Sequence, residues 1–211
     1  MRSWVVLAAV AILAASGLLA CGSASSGPTA VASPTPRVSP SANSSVEQLS
    51  PAQKAQVEAV LQANIDHYAQ LLAVGKTALG TTPYSDATAG LAAFNDPNSS
   101  ASQFRDWRSQ SKAEQDVSYL EAFKQANDIY LAVMGSSSGP VTKWENDTST
   151  ALTNWQDDIG NVQADLAQWV QVAAGWQISS KTGADLAAAE QKVNSDLSKT
   201  RQDLQQLLAV S

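Results

Sequence analysis

The sequence predicts an all-α protein, an antiparallel bundle of about four long helices from residue 50 onward. Three observations carry this reading. Apolar residues recur at steps of three and four over long stretches, as one face of a helix requires, and no run alternates with period two. Alanine, the best helix former, dominates the 44% of residues that are apolar. Gly, Pro and Ser clusters fall between the periodic stretches, where turns belong.

The N-terminus precedes this domain and has a different character. Met1 to Ser3 carries one positive charge at Arg2, and Trp4 to Leu19 is uncharged. A membrane-spanning helix wants about 20 apolar residues, so the run is better sized for the core of a signal peptide. It ends in Leu18-Leu19-Ala20-Cys21-Gly22. Leu18-Leu19-Ala20-Cys21 resembles the lipobox of bacterial lipoproteins, with Leu19 larger than the residue usual at that place. The resemblance implies cleavage before Cys21, a diacylglycerol on its thiol (a palmitate-bearing lipid anchor), and an extracytoplasmic domain at the outer face of the cell membrane. It covers only the first 22 or so residues. Two other processing routes stay open, namely secretory cleavage near Gly22-Ser23-Ala24 and an uncleaved signal anchor.

The chain has one cysteine and one histidine. No internal disulfide is therefore available, and Cys21 has no competing role in the sequence. The expected layout is a signal peptide over 1–20, a lipidated cysteine and tether over 21–49, and the helical domain over 50–211. The stretch from Gly22 to Leu49 is rich in Ser, Pro, Ala and Thr. It lacks the apolar surface that would repay ordering, so disorder is expected there. Such a coil would hold the domain on the order of 30 Å from its anchor.

Ser50-Pro51-Ala52-Gln53 reads as a helix start, with Ser as cap, Pro at the first position and Gln returning a bond. Val57, Leu61, Ile65, Tyr68 and Leu72 follow at helical spacing. Gly75 and Gly80 are expected to end this helix, and Pro83 to break the chain. A short helix is expected after Ser85, with Leu91 and Phe94 turned inward.

The second long helix is expected from Ser99 or Ser100 to Met134, about 50 Å at 1.5 Å per residue. Its apolar side would hold Phe104, Trp107, Val117, Leu120, Phe123, Ile129, Tyr130 and Val133. The third, from about Val141 to Ala174, carries the clearest pattern. Thr148, Leu152, Trp155, Ile159, Val162, Leu166, Trp169 and Ala173 alternate steps of four and three, the seam of a helix packed at a shallow angle. The fourth is expected to start at Thr182 with Asp185 completing its cap, and to run along Leu186, Val193, Leu197, Thr200, Leu204 and Leu207. Glu190 falls on that seam, where Ala189 is the better inward residue.

Several motifs are rejected on physical grounds. Gly135-Ser136-Ser137-Ser138-Gly139 matches G-x-S-x-G, but that motif acts on a strand-to-helix turn, and no sheet is expected. Gly75-Lys76-Thr77 resembles the end of a phosphate loop, but its first glycine would fall at Gln70. A di-metal carboxylate site in a bundle needs two Glu-x-x-His pairs, whereas His67 is the sole histidine and Asn64 stands where its Glu would be. No metal and no cofactor is expected. Glu145, Asp147, Asp157, Asp158 and Asp165 lie in a row on one helix and read as a solvated face. The 13 Lys and Arg are scattered against a net charge of -6, which speaks against nucleic acid as a partner.

The tryptophans remain. Trp155 and Trp169 belong to the seam, while Trp107, Trp144 and Trp176 lie near helix ends. These three are candidate contacts for a ligand or partner, against the alternative that they close the ends of the core. If the second and third helices are antiparallel, Trp107 and Trp176 share one end. No catalytic residues are expected. The resulting expectation is a membrane-tethered, non-catalytic binding or scaffold module that holds an envelope protein. The alternatives are a small-ligand module with an aromatic-lined pocket, analogous in architecture to four-helix sensor domains, and an envelope hydrolase.

Overall fold

A computed structural model describes residues 48–115, 118–135 and 142–211 of the 211-residue chain. Cys21, the tether up to residue 47, Val117 and Ser136 to Gly139 of the G-x-S-x-G match lie outside the described residues. The described chain contains six helices: α1 (Pro51–Leu79), α2 (Ala87–Ala93), α3 (Ser100–Gln115), α4 (Ser118–Met134), α5 (Lys143–Gln177) and α6 (Gly183–Val210).

Three helix starts form by the same device. Ser50 accepts from Gln53 N–H while the Gln53 side chain accepts from Ser50 N–H, with Pro51 in the first turn. Thr142 with Glu145 and Thr182 with Asp185 repeat this capping box at α5 and α6. Each box satisfies two backbone donors that an uncapped helix leaves free.

Contacts between helices fix their directions. Asp158 pairs with Lys199 and Asp165 with Lys192, so α5 and α6 run antiparallel. Asp66 with Arg201 and Lys76 with Glu190 set α1 antiparallel to α6. Gln177 Nε2 donates to the Leu79 carbonyl at 3.3 Å, placing the ends of α1 and α5 together. α3 begins beside Gly80, reaches Gly75 at Trp107, and so returns along α1. α4 ends near the start of α1: the Tyr130 and Ser211 hydroxyls lie 2.6 Å apart, and Leu49 N–H donates to the Ser211 carbonyl at 3.2 Å. Leu49, placed by composition at the end of the tether, is thus part of the packed domain, with 4% of its surface exposed.

The core follows the heptad seam of α5. All eight of its residues, from Thr148 to Ala173, are buried. They meet Val57, Leu61, Ile65, Tyr68 and Leu72 from α1 and Val193, Leu197, Leu204 and Leu207 from α6. A period alternating four and three keeps one stripe facing its neighbours only if the helices cross at a shallow angle.

Several elements differ from the sequence expectation. Gly75 does not end α1. It is a helical position where a Cβ would stand 2.6 Å from the Trp107 ring, so glycine is there to admit an indole. The terminator is Gly80, whose φ of 78° suits a residue without a side chain. Leu91 is not turned inward but 63% exposed; α2 docks through Gly90, against Ile178 and Tyr84.

The second long helix is described as α3 and α4, on either side of residues 116–117, and its expected inward residues Phe123, Ile129, Tyr130 and Val133 do pack on the core. Leu120 is exposed while Ala122, Ala126 and Tyr130 are buried. Small side chains at steps of four let α4 lie close to α1, and helix separation depends on the side chains at the contact. α5 extends to Gln177, beyond Ala174. Ala189 and Glu190 are both half-buried, and Glu190 is accommodated by its ion pair with Lys76. The acidic row of α5 is not one solvated face: Asp158 and Asp165 are only 5% and 6% exposed.

Candidate functional site

The three candidate tryptophans are all buried, at 7–9% exposure. Trp107 stacks on Phe104 at 5.4 Å between centroids and meets the edge of Trp169 at 5.9 Å. Its indole covers Gly75, so this cluster fills space rather than lining an opening. Trp176 lies in the last turn of α5, near Gly183 at the start of α6. Trp107 and Trp176 do lie towards the same end, where α1 and α5 finish. Trp144 closes the other end and donates Nε1–H to the Ser211 carbonyl at 3.3 Å. His67 is half-buried and packs edge-on against Tyr68 of its own helix.

The most unusual chemistry lies between α5 and α6, where composition gave no hint of it. Lys199 Nζ donates to Asp158 Oδ1 at 2.7 Å, and Asp158 also hydrogen-bonds Asp203. One heptad along, Lys192 Nζ donates to Asp165 Oδ1 at 2.5 Å, and Asp165 hydrogen-bonds Asp196. The seam thus carries two copies of one unit: a carboxyl from each helix, with a lysine capping the α5 member.

Two buried carboxylates in contact cannot both ionise cheaply, so such a pair favours holding one proton. Burial pushes the Asp203 carboxyl up to about 7, helped by its hydrogen bond to Asp158 and by that group's charge, with Lys199 opposing. Burial acts the same way on Asp158, but hydrogen bonds from Asp203, Lys199 and Asn161 outweigh it and hold that carboxyl below its usual range. Asp196 is raised by burial first, then by its hydrogen bond to Asp165 and that group's charge. Asp203 Oδ2 is buried with no partner of its own, an arrangement that penalises its ionisation further.

A signal for this ladder was present. Asp158 and Asp165, Lys192 and Lys199, and Asp196 and Asp203 are each seven residues apart. Such spacing places like groups at the same seam position, but only the antiparallel register of α5 and α6 shows that the three sets meet.

A carboxyl pair with separated protonation is also what an acid–base enzyme uses. The two pairs differ in their access to solvent, Asp165 lining a groove that Asp158 and Asp203 do not reach. Asp158 and Asp203 are 5% and 8% exposed. A groove of about 320 Å³ between α5 and the start of α6 is lined by Asp165, Gln168, Val172, Lys181, Asp185 and Lys192, among others, and does not include them. A second groove, between α1 and α6, runs past Leu72, Lys76 and Glu190. Neither is lined by a tryptophan.

Among the described residues, no three acidic, histidine or cysteine side chains are grouped so as to hold a metal ion. No described helix is long and apolar enough to cross a membrane. No family model, curated protein or solved structure matches the chain.

Proposed function

We propose that this chain is a lipid-anchored, extracytoplasmic bundle protein of a bacterial envelope, acting without catalysis as a binding or scaffold module. The observation that carries the reading is the position of the chain's one cysteine, at the end of an uncharged run and in the sequence Leu18-Leu19-Ala20-Cys21. The Ser/Pro-rich stretch beyond it has the composition of a tether.

In this reading α1, α3 followed by α4, α5 and α6 are the four rods of an antiparallel bundle, up, down, up, down. A scaffold role is favoured over small-ligand sensing because Trp107, Trp144 and Trp176 are buried in packing and neither groove described above is lined by them. Catalysis is disfavoured by the enclosure of the Asp158–Asp203 pair. The partners are the membrane, through lipid on Cys21, and an envelope protein; nucleic acid is not among them.

The test is Cys21→Ala in the native cells. The variant is expected to lose palmitate labelling and to leave the membrane fraction. Retention in the membrane with the signal uncut would make the chain an anchored stub instead. Pull-down of the tethered wild type then asks for the envelope partner; a pull-down that recovers none counts against the scaffold role.

A further inference from the structure

We propose that the α5–α6 seam is a proton-controlled latch: one proton shared by the pair Asp158–Asp203 holds α6 on α5, and release of that proton to water loosens it. The geometry carries this. Asp158 of α5 and Asp203 of α6 are both buried where the two helices meet, and Asp203 Oδ2 has no partner of its own. The proton lets one carboxyl donate to the other. Without it, two buried negative charges face one another with only Lys199 paired to them. Lys192 and Lys199 are 61% and 62% exposed, so solvent screens what they contribute.

The charges facing α6 from its other neighbour are already engaged. On α1, Lys76 pairs with Glu190, Asp66 lies 3.6 Å from Arg201, and Lys54 donates to the Leu208 carbonyl. On α5, the acidic groups meeting α6 are Asp158 and Asp165. On α6 itself, Asp185 is occupied in the Thr182 cap.

The sign follows from linkage. Asp203 has a folded value of about 7 against 3.8 for the free side chain, so the folded state holds more protons over that interval. Stability from this group is therefore complete below about pH 4 and is lost as pH rises to and through 7. Asp196 is shifted the same way. Asp158, held below its usual range, acts oppositely but only in acid, where its stabilisation is lost below about pH 4.

The experiment measures the thermal midpoint and amide hydrogen exchange of the purified full chain between pH 5 and pH 8, with exchange corrected for its intrinsic pH dependence. The midpoint is expected to fall by about 5 °C or more over this range, with protection lost first in α6 around Lys192 to Asp203. In Asp203→Asn, the amide still donates to Asp158 and has no proton to lose. That variant should show less than half the wild-type slope and a midpoint at pH 8 no lower than wild type. Should it fail to fold, Asp158→Asn relieves the same repulsion from the other side and should also flatten the profile. His67→Gln removes the chain's one imidazole and should keep the wild-type slope. A flat wild-type profile, a full slope in both asparagine variants, a slope abolished by His67→Gln, or protection lost equally from α1 and α3 would each overturn the latch.

Discussion

Replacing Trp169 with alanine is expected to lower the stability of the folded domain by about 4 kcal/mol, as for other fully buried tryptophans. The side chain is completely buried at the crossing of α5 with α3, with Phe104 at 6.1 Å and Trp107 at 5.9 Å, both edge-on. Truncation leaves a cavity that three helices line, and Trp107 is itself wedged against α1 at Gly75 and not free to fill it. The indole also has a cost in place, since Trp169 Nε1 is buried with no partner. Trp169→Phe loses some volume but removes that orphaned donor, so it should cost only about 1 kcal/mol. Chemical denaturation of the two variants checks the contrast. Equal losses would mean that the indole hydrogen is satisfied after all, or that the cavity, not the polar group, decides.

Gly75→Ala is the second large effect, and its sign is the diagnostic. In an ordinary helix interior this substitution gains about 1 kcal/mol. Here the new Cβ would stand 2.6 Å from two carbons of the Trp107 ring, a rigid group held from behind by Phe104 and Trp169. The ring must shift, and overpacking of this kind costs about 2 kcal/mol. The near-ultraviolet dichroism of the tryptophans should change with it. A stabilised Gly75→Ala protein would show that Trp107 does not sit on α1.

These residues also mark where the sequence was readable. The α5 seam could be read to the residue, because a period of four and three over eight positions has no other physical explanation. The starts at Ser50 and Thr182 were readable because capping is local chemistry. Gly75 was read as a stop because a glycine that ends a helix and one that admits a neighbour's ring look alike until the neighbour is known. Leu120 was misplaced for a related reason. Leu120 outranks Ala122 and Ala126 in hydrophobicity, yet close approach to α1 favours the alanines.

The polar seam was the least legible part of the candidate site. Asp158 and Asp165 read as solvated, since buried carboxylates are rare and their justification lies on another helix. Lys192, Asp196, Lys199 and Asp203 supply it, from about 30 to 45 residues downstream. Trp144 and Trp176 do lie near the ends of α5 and Trp107 in the middle of α3, but whether an indole lines an opening or closes one depends on the packing of Gly75 and Ser211. Cys21 is the reverse case: its meaning is carried by short-range sequence alone, and no packing argument bears on it.

The central claim is that the folded helices are delivered to the outer face of a membrane on a lipidated Cys21. The most direct test is intact-mass and N-terminal analysis of the chain recovered from the membrane fraction of its own cells. The account predicts a chain that begins at Cys21 and carries the added mass of a diacylglycerol on that residue. A chain that begins at Met1, or an unmodified one beginning near Gly22 to Ala24, would contradict it.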